Sequence, residues 1–153
     1  MFLHIIRILN FKIKIMKLAS FTLIENNDNY LLVQENSLRW KNHWFLPGGK
    51  SEKDESPEQT ARREAKEEIG CDIDLKEMFY TKYSPGIIVA ELCFYYYANP
   101  SSPIDMKNQH SLKSRWFTYD EITKLPLREN ARDIIDTYRN LKKRRSAQIN
   151  EYA

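Results

Sequence analysis

The chain has 153 residues, 42% hydrophobic and 29% charged, with a formal net charge of +3. That length suits one domain with a real core and is short for two, and the composition is that of an ordinary soluble globular protein. No apolar run is long enough to span a membrane. The small net charge hides an asymmetry. Between Ser51 and Gly70 seven acids (Glu52, Asp54, Glu55, Glu58, Glu64, Glu67, Glu68) stand against four bases, whereas Lys142, Lys143, Arg144 and Arg145 gather near the end. Two cysteines, Cys71 and Cys93, make no disulfide framework and read as reduced, buried thiols of a cytoplasmic protein.

Residues 1–15 are expected to be an N-terminal extension, a strand or a disordered segment. Phe11, Ile13 and Ile15 alternate with Lys12 and Lys14, as on a strand with one wet face. Charged and polar residues interrupt the run too often for a signal peptide, and Met16 is an alternative start. An apolar, β-branched run from Lys17 to Ile24 leads into the turn-forming cluster Glu25 to Asn29, and Tyr30–Val33 completes a hairpin. Trp44-Phe45-Leu46 is a short apolar triplet stopped by Pro47-Gly48-Gly49.

The clearest helix follows. Ser56 caps it, Pro57 suits its first position, and Gln59 completes a capping box. Ala61, Ala65 and Ile69 mark the packing face, and Gly70 ends it. Strands are expected near Ile73–Tyr83 and Ile87–Tyr97, separated by Ser84-Pro85-Gly86, and again at Trp116–Tyr119. Asp120–Lys124 reads as a helical turn. A last helix is expected from Ala131 to Lys142, with Ile134, Ile135, Tyr138 and Leu141 as its packing stripe. Residues 16–145 then make a single domain, and 146–153 a frayed tail. Strands around one central helix with another helix late imply an α/β or α+β sandwich.

The chemistry points to Gly49–Cys71. On a 3.6-residue turn, Glu64, Glu67 and Glu68 (i, i+3, i+4) share one side of the helix. Like charges at that spacing repel by only a few tenths of a kcal/mol per pair, so a solvated acidic face is an adequate explanation of these three alone. Three carboxylates within one turn also suit a hard cation, Mg²⁺ above all, which takes a few carboxylates and shares phosphate oxygens with a substrate.

The neighbours decide between these readings. Gly49, Glu55, Arg63, Glu64, Glu67, Glu68 and Gly70 fill all seven fixed positions of a pattern resembling the Nudix box. A chance match of that pattern somewhere in the chain is on the order of one in a million at average residue usage. Its two apolar slots are filled modestly, by Ala65 and Cys71. The resemblance implies a Nudix-type α/β/α sandwich with a mixed sheet and a loop–helix–loop catalytic motif. It also implies hydrolysis of a pyrophosphate bond in a nucleotide-like substrate, with Mg²⁺ as cofactor and Mn²⁺ as an alternative.

Carried over by position, Glu67 and Glu68 are the expected principal metal ligands. Glu64 is a further ligand or the residue that orients or deprotonates water, and a carbonyl of Gly48 or Gly49 completes the shell. Arg63 and Glu55 pair to brace the loop. Many relatives add a Glu shortly before the late Trp, but Gln109–Arg115 contains no acid. His110 is the candidate for an extra base, with Asp105 and Glu91 as others.

Substrate choice lies outside the box. Tyr83-Ser84-Pro85-Gly86 with Glu91 resembles the ADP-ribose-cleaving branch, although a Ser-Pro-Gly turn explains that segment equally well. Compact size suits the branch acting on nucleoside triphosphates. Trp40, Trp44, Phe79, Tyr80 and Tyr83 offer either a base-stacking surface or core. The expected partner is a small nucleotide, with no membrane; nucleic acid is disfavoured, and the state is monomer or homodimer. The alternative is a catalytically weak or silent module that senses nucleotides or binds nucleic acid through Lys142–Arg145.

Overall fold

The computed structural model describes residues 15–86, 89–105 and 113–151, so the expectations for residues 1–14, Ile87 and His110 fall outside the described residues. In chain order the elements are β1 (Ile15–Asn26), β2 (Asn29–Gln34), β3 (Trp44–Phe45), β4 (Gly48–Lys50), α1 (Pro57–Ile69), β5 (Ile73–Ser84), β6 (Val89–Pro100), β7 (Ser114–Thr118), α2 (Tyr119–Ile122) and α3 (Ala131–Glu151).

β1 and β2 form the expected hairpin, with Asn26 opposite Asn29. Asn27 and Asp28 between them both take positive φ, 50° and 59°. A two-residue turn that twists with its strands requires this, and Asn and Asp tolerate it. β1 also runs parallel to β6, from Ile15–Val89 to Ile24–Ala98, and antiparallel to β4. The sheet order is β3-β2-β1-β6-β5, with β4 on β1 and β7 on β2. This is a mixed sheet, and its central strands are covered on both faces.

Strand alternation sorts the side chains between two cores. Phe21, Leu23, Tyr30 and Leu32 join Ile134, Ile135 and Tyr138 of α3. Ile24, Leu31 and Val33 join Ala65 and Ile69 of α1, with Cys71 and Ile73. The result is an α/β/α sandwich. Burial on both faces also explains why these strands read as continuous apolar runs.

α1 has the ends its sequence dictates. Ser56 Oγ accepts from Gln59 N–H, the Gln59 side chain accepts from Ser56 N–H, and Pro57 sits in the first turn. Gly70 closes the helix in the left-handed region at φ 62°.

Other boundaries differ from expectation. β7 stops at Thr118 because Thr118 and Glu121 form a capping box, which places Tyr119 in α2. Gly48-Gly49 does more than end the apolar triplet: it opens β4, paired with β1 at Ala19–Phe21. α3 continues past Lys142 to Glu151, through most of the tail expected to fray. No Gly or Pro interrupts it, and ion pairs tie it to the sheet. Lys142 Nζ lies 2.8 Å from Glu25 Oε1, and Arg145 Nη2 donates to Glu77 Oε2 at 2.8 Å. Two of the four clustered bases are therefore committed within the fold. Among the described residues, no helix is long and apolar enough to cross a membrane.

Candidate active site

β4, the following loop and α1 bring the motif residues together. Arg63 is the hub. Its Nε and Nη2 donate to Glu55 Oε1 and Oε2 at 2.8 and 3.1 Å, a bidentate pair. Nη2 also reaches the Lys50 carbonyl at 2.9 Å, and Nη1 donates to Glu64 Oε1 at 3.0 Å and Glu67 Oε2 at 3.3 Å. Glu55 further accepts from the Glu52 N–H and the Thr60 hydroxyl, each at 2.9 Å. The bond from Arg63, followed by that from Glu52, holds the Glu55 carboxyl down at about 2. The same contact with Glu55 drives Arg63 further up. Loop and helix are thus clamped at Glu55–Arg63.

Both glycines of β4 lie against carboxylates of α1. Gly48 N–H donates to Glu68 Oε2 at 2.8 Å. A Cβ at Gly49 would run into the Glu64 carboxylate. A Cβ at Gly48, whose φ is 150°, would run into the Ser20 carbonyl of β1. Glycine is what lets this strand pass between β1 and α1.

Burial raises Glu64, against the opposing pull of Arg63. It pushes Glu68 up to about 8; the Gly48 N–H opposes this, while Glu64, Glu35 and Glu67 reinforce it by repulsion. Glu68 is therefore a partly buried acid whose neighbours compensate its charge poorly, and a cation would relieve that cost.

The three acids share a helix side, as their spacing predicts; Glu64 and Glu67 meet at Arg63 Nη1, while Glu68 is held at the Gly48 N–H. Glu67 is 59% exposed and turned to Arg63, whereas Glu64 is 14% exposed. Among the described residues no group of three His, Cys, Asp or Glu stands ready to hold an ion. The donor chemistry of Glu68 and Glu64 fits a hard cation; Glu64 and Glu67 each have an oxygen on Arg63 Nη1, so either would offer its second oxygen or give up that bond.

A cavity of about 320 Å³ opens beside β4, lined by Glu35, Trp40, Gly48, Gly49, Glu91 and Arg128 among others. A second, of about 220 Å³, shares Trp40, Glu91 and Arg128 and adds Arg39, Lys82 and Tyr95. Together they reach the size of a small-ligand site. A third, about 380 Å³, runs along the loop Lys50–Glu55 beside Met16 and Lys17.

Glu91, a candidate base, thus faces the same space as Gly48 and Gly49. Asp105 instead packs against Gly70 at the far end of α1, and its N–H donates to the Ile69 carbonyl at 3.1 Å. Of the aromatics considered for stacking, Trp40 lines both cavities. Trp44 and Phe79 pack against the core, and Tyr80 and Tyr83 are exposed on β5. Sequence reasoning missed Glu35 and Arg128, which pair at 2.9 Å on the cavity wall. They are 93 residues apart, and neither belongs to the motif.

The NUDIX domain profile matches residues 16–138. The chain belongs to the NUDIX family. Among curated relatives it is similar to the Mycobacterium tuberculosis protein named "Putative 8-oxo-dGTP diphosphatase 3", 34% identical over 94 residues. That match spans 55% of this chain and 41% of the relative, so under half of the relative's length is covered. Among solved structures it resembles a NUDIX hydrolase from Nitrosomonas europaea. That likeness has a TM-score of 0.72 at 23% identity, covering 81% of this chain and 88% of that one. It also resembles an ADP-ribose pyrophosphatase from Streptococcus suis, with a TM-score of 0.59 at 27% identity over 75% of this chain and 81% of that one.

Proposed function

We propose that the protein is a metal-dependent hydrolase that cuts a pyrophosphate bond in a small nucleotide. The observation that carries this reading is Glu68. It is a partly buried carboxylate surrounded by other acids and held by the N–H of Gly48, a residue that lines a ligand-sized cavity. Such poorly compensated negative charge costs stability unless a cation or proton occupies it.

Glu68 and Glu64 would hold the ion, Mg²⁺ in preference to Mn²⁺, with Glu67 joining from the exposed side. When bound, the ion would neutralise phosphate charge and make water a better nucleophile. The glycines of β4 keep the cavity wall free of side chains where the pyrophosphate would lie. Arg63 keeps loop and helix in register. A carboxylate must orient the attacking water and take its proton: Glu64 does so if Glu67 takes its place on the ion, and Glu91, on the cavity wall, is the second candidate. Trp40 offers a flat face for a base in the outer cavity. The names of the relatives support two substrate classes, an oxidised nucleoside triphosphate (8-oxo-dGTP) and ADP-ribose. Both cysteines are buried and unpaired, which supports a reducing compartment such as the cytoplasm.

The test is product release from a panel of ordinary and oxidised nucleoside triphosphates, ADP-ribose and nucleotide sugars, with Mg²⁺ or with chelator. Metal-dependent cleavage of one class is the expected result. Silence across the panel despite nucleotide binding would sink the enzyme reading in favour of a sensing module.

A further inference from the structure

We propose that Arg128 is a substrate-binding residue that exchanges Glu35 for a phosphate group of the substrate. The proposal rests on the nucleotide-hydrolase reading and adds a residue outside the motif.

The backbone around Arg128 is fixed to the strand that leads into the site. Its N–H donates to the Trp44 carbonyl at 3.0 Å, and Trp44 N–H donates to the Pro126 carbonyl at 2.8 Å. Leu127 forms an isolated bridge with Trp44. The side chain lies over two rings, with its guanidinium carbon 4.5 Å from the Phe45 centroid and 5.4 Å from that of Phe21. A guanidinium held by backbone and stacking loses little freedom on meeting a ligand.

Its polar partners are few. Arg128 Nη1 donates to Glu35 Oε1 at 2.9 Å, and among the described residues that is the guanidinium's one hydrogen bond. Arg63 spreads its donors over four partners by comparison. A guanidinium carries five N–H donors in a fork that matches phosphate as well as carboxylate. A single-armed contact to Glu35 leaves most of that fork for a second anion.

Position makes the anion a substrate phosphate. Arg128 lines both the cavity beside Gly48 and Gly49 and the adjoining cavity containing Trp40, Lys82 and Tyr95. A nucleotide with its base in the outer space and its phosphates near β4 must pass Arg128. Glu35, on the same wall, is the carboxylate such a phosphate would displace. A plain brace between the loop after β2 and the segment before α3 is the competing explanation, and the two differ in sign. In a brace, losing either partner does the same harm. In an exchange, losing Glu35 frees Arg128 for phosphate.

The experiment uses the full chain and the variants Arg128→Ala, Arg128→Lys and Glu35→Gln, each first checked for folding by thermal melting. Calorimetry measures binding of the four ribonucleoside monophosphates and the matching nucleosides; steady-state kinetics follow on the best panel substrate. Arg128→Ala should weaken monophosphate binding and raise KM by about tenfold or more, the scale of a lost charge-assisted hydrogen bond, with nucleoside affinity and kcat nearly unchanged. Arg128→Lys should recover part of the loss, which keeps the test open if the Ala variant does not fold. Glu35→Gln should tighten monophosphate binding. Equal weakening of nucleoside and nucleotide by Arg128→Ala, weaker binding in Glu35→Gln, or no monophosphate binding by the wild type would each overturn the proposal. The calorimetric arm needs no turnover, so failure of the hydrolase reading would show separately as a lack of metal-dependent product release.

Discussion

Glu55 and Glu68 are acids of one motif, 13 residues apart, and their surroundings push them in opposite directions. Glu55 sits in the fork of Arg63 and is held near 2; Glu68 sits among acids against a glycine strand and is pushed to about 8. For Glu55 the folded-state value lies below the ordinary glutamate value of 4.5, so its contribution is present above that pH and lost as pH falls towards 2. Replacing Glu55 with Gln should cost about 1–3 kcal/mol at pH 7, the scale of hydrogen bonds to a charged group. Denaturant unfolding of both proteins should show that gap closing between pH 4.5 and 2. A gap independent of pH would mean that the Arg63 contact does not depend on the Glu55 charge. The resemblance to the Nudix box made this pair legible, because both members are fixed positions of one contiguous pattern. Glu35 and Arg128 were illegible for the opposite reason: β2, β3 and the Leu127 bridge bring them together, and no local periodicity records that.

At the scale of elements, β4 decides the shape of the site. Gly48 passes so close to the Ser20 carbonyl that a methyl group has no room, and its φ of 150° is foreign to other residues. Gly48→Ala should therefore lower stability by about 2–4 kcal/mol and reduce turnover further, because the N–H aimed at Glu68 moves. Thermal melting and activity on the same sample check this; an unchanged melting temperature would contradict the packing described for β4. Pro47-Gly48-Gly49 read as the stop of an apolar triplet, and only the register with Ala19–Phe21 makes Gly48–Lys50 a strand. The α1 boundaries were legible because Ser56, Gln59 and Gly70 each act locally. The end of α3 was not, since its ion pairs to Glu25 and Glu77 are contacts with distant strands.

Across the whole molecule, the two-sided core offsets what the site costs. α1 buries Ala61, Ala65 and Ile69 completely, and the same helix sets Glu64 and Glu68 against the β4 glycines that line the cavity. The order of strands and helices narrowed the fold to an α/β or α+β sandwich and the Nudix-box resemblance chose the first, whereas the cavities were not legible, because their walls come from β1, β6 and the segments before β3 and α3.

The most direct measurement compares the wild type with Glu68→Gln, following thermal stability without metal from pH 4.5 to 8 and turnover with Mg²⁺ at pH 8. A carboxyl whose folded value lies above its unfolded one favours folding less as pH rises, because the folded state must give up a proton it holds more tightly. The metal-free wild type should therefore fall progressively below Glu68→Gln between pH 4.5 and 8, by roughly 5 °C at the upper end. Turnover in the variant should drop at least about a hundredfold, the scale of a lost group that stabilises transition-state charge. Equal stability across that range together with near-normal turnover would contradict the assignment of Glu68 as the partly buried carboxylate around which the site is built.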